Sequence, residues 1–131
     1  MRYGGLFDQI GFGFHRYSVD AAWHVPHFEK MLYDQAMVMM AYAETFQITR
    51  DSRCATVVTE IFNYLQRVMT DPAGGFYSAE DADSEGREGF FYLWTPKEMK
   101  EVLGRETGEI LCRYLDITEE GNFEGGRSVP R

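Results

Sequence analysis

The chain has 131 residues and a formal net charge of −8 at pH 7. This length fits a single domain, and the 44% content of hydrophobic residues is typical of a globular protein rather than a disordered one. The acidic balance argues against nucleic acid or an anionic membrane surface as a partner, because both attract a basic protein face.

Two cysteines, Cys54 and Cys112, lie in predicted helices and lack the C-x-x-C spacing. This pattern predicts two reduced, buried thiols rather than a disulfide, as is typical of a cytoplasmic protein. The first residues, 1–5, include no apolar segment of the kind that a signal peptide contains. We therefore predict a cytoplasmic location.

The first predicted element is a β-ribbon over residues 11–18, where side chains alternate with a period of two. The alternation places His15 and Tyr17 on one face and Arg16 on the other. Trp23 follows in the connection to the first helix. Core packing is the simplest explanation for each aromatic residue, but aromatic surfaces with a few polar groups also hold sugars and other small polar ligands.

A long first helix is predicted from Pro26 to about Thr49. Pro26 suits the first helical position because its missing N–H needs no partner there, and His27 and Glu29 then fall in the first turn. Residues 36–43 are apolar around the whole cylinder, yet they are too few to cross a membrane. This composition predicts an inner helix that is surrounded by other elements.

The second predicted helix follows Asp51, which is a favoured residue type at the N-cap. Apolar side chains recur at i, i+3 and i+4 spacing over residues 57–69, which predicts a one-sided amphipathic helix. The two helices together are expected to form an αα-hairpin with an inner first member and a half-exposed second member.

A second β-ribbon is predicted from residues 76–81 and 89–94, with Phe90, Tyr92 and Trp94 on one face. In the polar turn that joins them, residues 81–86 imitate the start of a calcium loop, but Tyr92 occupies the twelfth position, where such loops need a glutamate. We therefore predict a solvated acidic turn and no metal site, because zinc-binding spacing is also absent. No cofactor is predicted.

A capping box at Thr95–Glu98 predicts the start of a third helix, which should end before Gly104. A fourth helix is predicted over about residues 107–115, and residues 118–131 are predicted to be a loop.

The spermatogenesis-associated, thioredoxin-containing protein family closely resembles this chain over five stretches: residues 13–20, 25–34, 74–78, 81–86 and 120–125. The resemblance implies an N-terminal thioredoxin-like domain, which is absent from these residues, followed by a six-hairpin α/α toroid similar to N-acylglucosamine 2-epimerases and glycosidases. It therefore implies a sugar-related pocket rather than a particular reaction, and no redox role.

The expected fold class is mainly α: a partial α/α toroid, six-hairpin glycosidase-like, made of helical hairpins with short β-ribbons at one mouth. Residues 1–131 would then form a single domain, a fragment that carries the first hairpins of the larger toroid. We expect homo-oligomer contacts or the missing toroid segments to cover the apolar edges of such a fragment.

The predicted function is a sugar epimerase-like or isomerase-like activity. An epimerase needs two proton-transfer groups on opposite faces of a sugar carbon, and histidine suits this chemistry best near neutral pH. His15 and His27 are the predicted pair, with His24 as the third candidate, for which a structural role is favoured. Arg16 is a candidate to polarise a sugar oxygen. The alternative for each histidine is a structural hydrogen bond at a loop–helix junction.

A glycosidase would instead use two carboxylates that flank the scissile bond, and Glu29 completes the catalytic candidates for that reason. At a helix N-terminus, however, Glu29 would keep its negative charge and make a poor general acid, and Lys30 is spaced to pair with Asp34. The other alternative is a non-catalytic structural or sugar-binding module. For a sugar or another small polar ligand, the predicted binding residues are Arg16, Tyr17, Trp23, Tyr33, Asp34, Asp81, Asp83, Tyr92 and Trp94.

Overall fold

Four α-helices carry the fold in the computed structural model, which describes residues 1–131: α1 (Leu32–Thr49), α2 (Ser52–Val68), α3 (Pro96–Leu103) and α4 (Arg105–Tyr114). The six strands have two residues each: β1 (Tyr17–Ser18), β2 (Pro26–His27), β3 (Lys30–Met31), β4 (Ala79–Glu80), β5 (Asp83–Ser84) and β6 (Arg87–Glu88). They pair antiparallel as β1–β2, β3–β4 and β5–β6. The prediction of a mainly α-helical chain with small antiparallel strand pairs is therefore confirmed.

Helix α2 is the best-buried helix of the chain, and it begins where the sequence predicts. The Asp51 side chain accepts a hydrogen bond from the Arg53 backbone N–H at 2.9 Å, which caps the first turn. The apolar face of α2 packs on both the N-terminal segment and α1. The cluster that results contains Leu6, Phe7, Phe14, Val57, Ile61, Tyr64, Leu65 and Met69.

Helix α1 begins at Leu32, so the predicted helix start at Pro26 is wrong. Residues 25–31 are extended instead, because β2 pairs with β1 and β3 pairs with β4. Burial alternates strictly along this segment: Phe28 and Lys30 point inward, whereas His27 and Glu29 lie on the half-buried face. Strand pairing on both sides has overridden the local preference of proline for a helix start.

Helix α1 also differs from the prediction in its surroundings. Its inner face packs on the α2 cluster, but Met37, Met40 and Ile48 on the opposite side are 64%, 56% and 84% exposed. Together with Tyr33, which is 51% exposed, these residues form what we call the outer stripe of α1. The predicted inner helix is therefore open on one side in this chain, and α2, the predicted outer member, is buried more deeply.

The predicted β-ribbon of residues 76–81 and 89–94 is also wrong, because β4 pairs with β3 and Phe90–Tyr92 form a short 3₁₀ helix. Gly89 precedes it with φ of 72°, and a Cβ at that position would lie 2.4 Å from the Phe28 ring. The first predicted ribbon is reduced to β1, together with a single bridge between Phe7 and Phe14. In both stretches the alternating aromatic side chains pack on two sides of an irregular segment and do not mark a regular strand.

The capping box of α3 is confirmed. The Thr95 hydroxyl accepts a hydrogen bond from the Glu98 N–H at 3.3 Å, and the Glu98 carboxylate accepts one from the Thr95 N–H at 2.8 Å. Helix α4 starts directly after Gly104, earlier than predicted. A separate apolar cluster joins α3 to α4 and contains Met99, Cys112, Leu115 and Ile117.

A buried lysine lies between the N-terminal segment, α2 and the 3₁₀ helix. Lys30 is 1% exposed, and its Nζ donates to Asp8 Oδ2 at 2.8 Å and to the Phe12 carbonyl at 2.9 Å. The ammonium also lies 4.6 Å from the Tyr64 ring centroid and 4.7 Å from that of Tyr92. Lys30 therefore pairs with Asp8 and not with Asp34, the partner that its sequence spacing suggested.

A buried glutamine fastens α1 to the N-terminal segment. Gln35 is fully buried; its Oε1 accepts from the Phe14 N–H at 2.8 Å and its Nε2 donates to the Phe14 carbonyl at 2.6 Å. The side-chain amide thus satisfies both backbone groups of Phe14, as a neighbouring strand would.

Cys54 is half-buried, Cys112 is buried, and neither is bonded to another cysteine. None of the helices combines the length and the apolar character that a membrane-spanning helix requires.

The Lys30→Met variant tests the buried ion pair. Removing the ammonium leaves the Asp8 carboxylate unpaired in the interior, so we expect the free energy of unfolding to fall by about 3 kcal/mol. Urea unfolding followed by tryptophan fluorescence measures the change. The matched control is Lys97→Met, which removes an exposed pair with Glu101 and should cost less than about 0.5 kcal/mol.

The double variant Lys30→Met with Asp8→Asn should lose less stability than the sum of its single variants, because no uncompensated charge is left buried. Equal losses for Lys30→Met and Lys97→Met would show that the buried pair does not stabilise the fold.

Candidate functional site

His27 is the centre of a polar cluster on the surface, formed with Arg16, Tyr17, Glu29 and Glu88; we call this the His27 cluster. The β1–β2 register sets Tyr17 opposite His27, and the two rings stack with centroids 5.0 Å apart and planes inclined by 19°. The His27 side chain is 28% exposed, so it is supported by protein on one side and open on the other.

The hydrogen bonds of His27 define the chemistry that its ring can perform. Nδ1 lies 2.7 Å from Glu88 Oε1, and because a carboxylate is an acceptor, Nδ1 is the nitrogen that carries the proton in the neutral ring. Nε2 lies 3.7 Å from Glu29 Oε2. A neutral His27 therefore has its basic nitrogen on the Glu29 side, in the arrangement of a carboxylate-oriented general base.

Arg16 and Glu29 form the second half of the cluster. Arg16 Nη1 donates to Glu29 Oε2 at 2.8 Å, and the Arg16 backbone N–H donates to the Glu29 carbonyl at the same distance. The Arg16 side chain is 44% exposed and the Glu29 side chain 26%. Glu29 therefore lies in a strand-like segment rather than at a helix N-terminus, and its charge is balanced by a guanidinium.

Asp34 lies in the first turn of α1 near this pair. Its Oδ2 is buried and has no hydrogen-bond partner. Partial burial raises the pKa of the Asp34 carboxyl; the positive charge of Arg16 opposes the shift and the negative charge of Glu29 adds to it. Asp34 is thus a carboxyl group with a free oxygen beside the cluster, and its environment favours the protonated form more than water does.

His15 does not join the His27 cluster. Its ring is 3% exposed, Nδ1 donates to the Phe28 carbonyl at 3.0 Å, and the Tyr92 ring packs edge-on at a centroid distance of 4.7 Å. Burial, with a further contribution from the Lys30 charge, lowers the pKa of His15 to about 3. The ring is therefore neutral at physiological pH and faces the interior.

The remaining predicted site residues are distributed over other parts of the surface and core. Trp23 is 42% exposed in a turn whose backbone N–H groups are held by the Asp20 carboxylate. Asp81 and Asp83 line a separate cavity of about 260 Å³, with the edge of Tyr92 in its wall. Trp94 is half-buried beside the α3–α4 cluster. Of the predicted residues, the structure gathers Arg16, Tyr17, His27 and Glu29, with Asp34 near them.

The acidic turn belongs to the β5–β6 hairpin. Glu85 and Gly86 have φ of 53° and 71°, as a tight two-residue hairpin requires, and Asp81 Oδ1 accepts from the Asp83 N–H at 3.1 Å. No group of three or more His, Cys, Asp or Glu side chains is arranged to hold a metal ion.

Glu88 is the functional candidate that the sequence interpretation missed. It lies 61 residues from His27 in the chain and has no motif of its own. Its position follows from the β5–β6 hairpin, which brings the Glu88 carboxylate within 2.7 Å of His27 Nδ1. Only recognition of that tight turn, followed by a correct register, would have placed Glu88 near the histidine.

No protein family model matches the chain. The chain is 44% identical over an alignment of 138 residues, covering 94% of its length, to spermatogenesis-associated protein 20 of Homo sapiens. It is 42% identical to the Mus musculus protein of the same name over 97% of its length, and 40% identical to an uncharacterized protein of Caenorhabditis elegans over 91%. The chain spans 18% of the length of each of these relatives. The matches support the resemblance to the spermatogenesis-associated family.

The depressed pKa of His15 predicts a pH dependence of stability. Between the ordinary value of 6.5 and the folded value of about 3, the unfolded chain binds one more proton at this residue than the folded chain. Stability should therefore fall by about 1.4 kcal/mol for each pH unit below 6.5 in this window. Urea unfolding at pH 6.5, 5.5 and 4.5 measures the slope.

The His15→Asn variant keeps a donor for the Phe28 carbonyl but cannot take up a proton, so this part of the slope should disappear. The control is His24→Asn, in an exposed turn, which should leave the slope unchanged. A His15 ring signal that titrates near 6.5 in proton NMR would contradict the assignment.

Proposed function

We propose that this chain is a segment of a spermatogenesis-associated family protein with an α/α toroid, and that the His27 cluster is the proton-transfer part of a sugar epimerase-like or isomerase-like site. The observation that carries the proposal is the position of His27 between two carboxylates, 2.7 Å from Glu88 and 3.7 Å from Glu29, on an open surface. A glycoside hydrolase is less well supported, because Glu29 is neutralised by Arg16.

His27 acts in this proposal as the general base. Glu88 orients the ring and stabilises the imidazolium that forms when Nε2 removes a proton from the carbon next to a sugar carbonyl. Arg16 stabilises the negative charge that develops on the carbonyl oxygen of the resulting enediolate. Proton removal and charge stabilisation thus come from neighbouring side chains of one surface.

Asp34 supplies the second proton-transfer group. Epimerisation requires that a proton return to the opposite face of the carbon, and partial burial raises the pKa of the Asp34 carboxyl, which makes it a better proton donor near neutral pH than an exposed aspartate. Asp34 Oδ2 is buried and has no hydrogen-bond partner within the protein. His15 has no part in this scheme, since its buried ring donates to a backbone carbonyl.

Tyr17 provides a surface for the ligand. Its ring is half exposed and is held by stacking on His27, and the flat faces of sugars pack on such aromatic surfaces. Tyr33, at the N-terminal end of the outer stripe, is a second exposed aromatic residue of this region.

The second candidate is a non-catalytic structural or sugar-binding module, and the exposed outer stripe of α1 favours it. A helix with apolar residues on both sides stabilises an assembly by packing between two layers. In this alternative the stripe is covered by further toroid segments or by a second copy, and the His27 cluster binds sugar without turnover.

The test is hydrogen–deuterium exchange into sugar. The full chain is incubated in D₂O with glucose, mannose or N-acetylglucosamine, and proton NMR follows loss of the signal at the carbon next to the carbonyl and appearance of the epimer. The His27→Gln variant should slow exchange by about a hundredfold, the usual contribution of a general base. His24→Gln is the matched control and should retain the wild-type rate.

Exchange that is equally fast in His27→Gln and wild type would exclude His27 as the base. Sugar binding without exchange, detected as shifted amide signals of residues 16, 17, 27 and 29, would favour the non-catalytic module. Absence of both exchange and binding would rule out the enzyme and the sugar-binding module and leave the structural module.

A further inference from the structure

A groove lies beside the ring of Phe91, on the surface formed by the β5–β6 hairpin, the 3₁₀ helix and α3; we call it the Phe91 groove. It consists of two cavities of about 310 and 260 Å³, and Phe91 and Ser84 line both of them. No side chain of the His27 cluster lines either cavity. The groove is therefore a second surface, separate from the candidate functional site.

Phe91 is held in place and left in water at the same time. Its backbone N–H donates to Ser84 Oγ at 2.8 Å, and its ring packs edge-on against Tyr92 with the centroids 5.2 Å apart. The side chain is nevertheless 69% exposed. A ring positioned in this way keeps most of its apolar surface available for a contact with another molecule.

The larger cavity continues the apolar surface of Phe91. Val102 on α3 lines it and is 68% exposed, and the half-buried Trp94 and the buried Leu93 lie in the same wall. Single exposed apolar residues are common on proteins, but two that line one cavity together with an indole form a contiguous patch. Patches of this kind mark sites where another molecule binds.

The smaller cavity is acidic. The carboxylates of Glu80, Asp81 and Asp83 line it, and no basic side chain does. Asp81 and Asp83 take part in no salt bridge of the chain. Their negative charges are therefore available to a cationic group that comes from outside.

The walls of the larger cavity carry further negative charge. Glu85 is exposed and forms no salt bridge, and Glu101 lies 3.8 Å from its only cationic neighbour, Lys97. The one basic side chain in these walls, Arg127, is bound by Glu98 at 2.8 Å. The groove thus combines apolar surface with an excess of carboxylates along its whole length.

Charge complementarity decides what kind of partner fits. A cationic side chain in the acidic cavity is attracted by the carboxylates and lies beside the Phe91 ring, where a cation–π contact adds to the attraction. An apolar side chain next to it covers Phe91 and Val102. A second copy of the chain is a poor occupant, because it brings the same net charge of −8.

We propose that the Phe91 groove is a docking site for a short extended segment of a partner protein in which basic residues alternate with apolar ones. Side chains on one face of an extended segment are two residues, or about 6.6 Å, apart, so neighbouring side chains of that face enter the two cavities. The proposal goes beyond the proposed function and does not rest on it, since the two surfaces share no residue.

The experiment is a fluorescence anisotropy titration of the full chain into a labelled peptide of alternating arginine and leucine, RLRLRL. This peptide should bind saturably, RSRSRS should bind about tenfold more weakly because it lacks the apolar side chains, and ELELEL should not bind. Raising the salt concentration should weaken binding of RLRLRL, because exposed carboxylates are screened.

Two variants test the groove itself. Phe91→Ala should weaken binding of RLRLRL by about tenfold and Asp83→Asn by about threefold, the effects of losing an apolar and cation–π surface and one exposed charge. Both residues are exposed, so neither substitution disturbs the core. The matched controls are Ile110→Ala and Glu106→Gln, exposed positions on α4 that line neither cavity, and both should bind as the wild type does.

Equal affinity of the wild type and Phe91→Ala, or binding of ELELEL as tight as that of RLRLRL, would overturn the proposal. Spermine that binds as tightly as RLRLRL would assign the groove to small polyamines and overturn the peptide. A doubled mass of the wild type in light scattering that Phe91→Ala abolishes would assign the groove to a second copy and overturn the partner protein.

Discussion

The burial of the Lys30 ammonium constrains the whole central part of this chain. An ammonium that leaves water needs an opposite charge and further acceptors, and the fold supplies the Asp8 carboxylate, the Phe12 carbonyl and the rings of Tyr64 and Tyr92. These groups come from the N-terminal segment, α2 and the 3₁₀ helix, so one side chain joins three regions distant in sequence. It also sets the register of its own segment. With Lys30 and Phe28 inward, His27 and Glu29 must lie on the other face, whereas a shift by one residue would bury them.

The same constraint separates the histidines into two chemical types. His15 is close enough to Lys30 for the ammonium to oppose its protonation, and burial acts in the same direction, so it serves as a neutral hydrogen-bond donor to Phe28. His27 lies three residues before Lys30, on the opposite face of the segment, and faces Glu88 and Glu29 at the surface. Two identical side chains thus differ in burial and in hydrogen-bond partners, with His15 in the interior and His27 at the surface. Proton transfer needs a ring whose basic nitrogen reaches a ligand, which a buried imidazole bonded to a carbonyl does not provide.

The sequence correctly predicted the helices whose first residues cap them through local hydrogen bonds. Asp51 caps α2 and Thr95 with Glu98 caps α3, because each cap is formed by groups a few residues apart. The prediction of a helix start at Pro26 was wrong because β1 and β4, from two other parts of the chain, pair with residues 26–27 and 30–31. Local sequence patterns do not indicate pairing of this kind. For the same reason Glu88 could not be placed from the sequence, because its position beside His27 depends on long-range contacts that periodicity does not encode.

The outer stripe of α1 and the His27 cluster share one end of that helix, and this proximity links assembly to chemistry. Tyr33 opens the stripe and Asp34, the next residue, has its carboxyl group beside Arg16 and Glu29. An element that packed on the stripe would therefore also exclude water from the edge of the cluster. A drier environment raises the pKa of a carboxyl group such as Asp34 and strengthens the attraction between the His27 imidazolium and Glu88. Both effects favour the acid and base roles proposed above, so covering the apolar side of α1 would stabilise the assembly and tune its proton-transfer groups through the same contact.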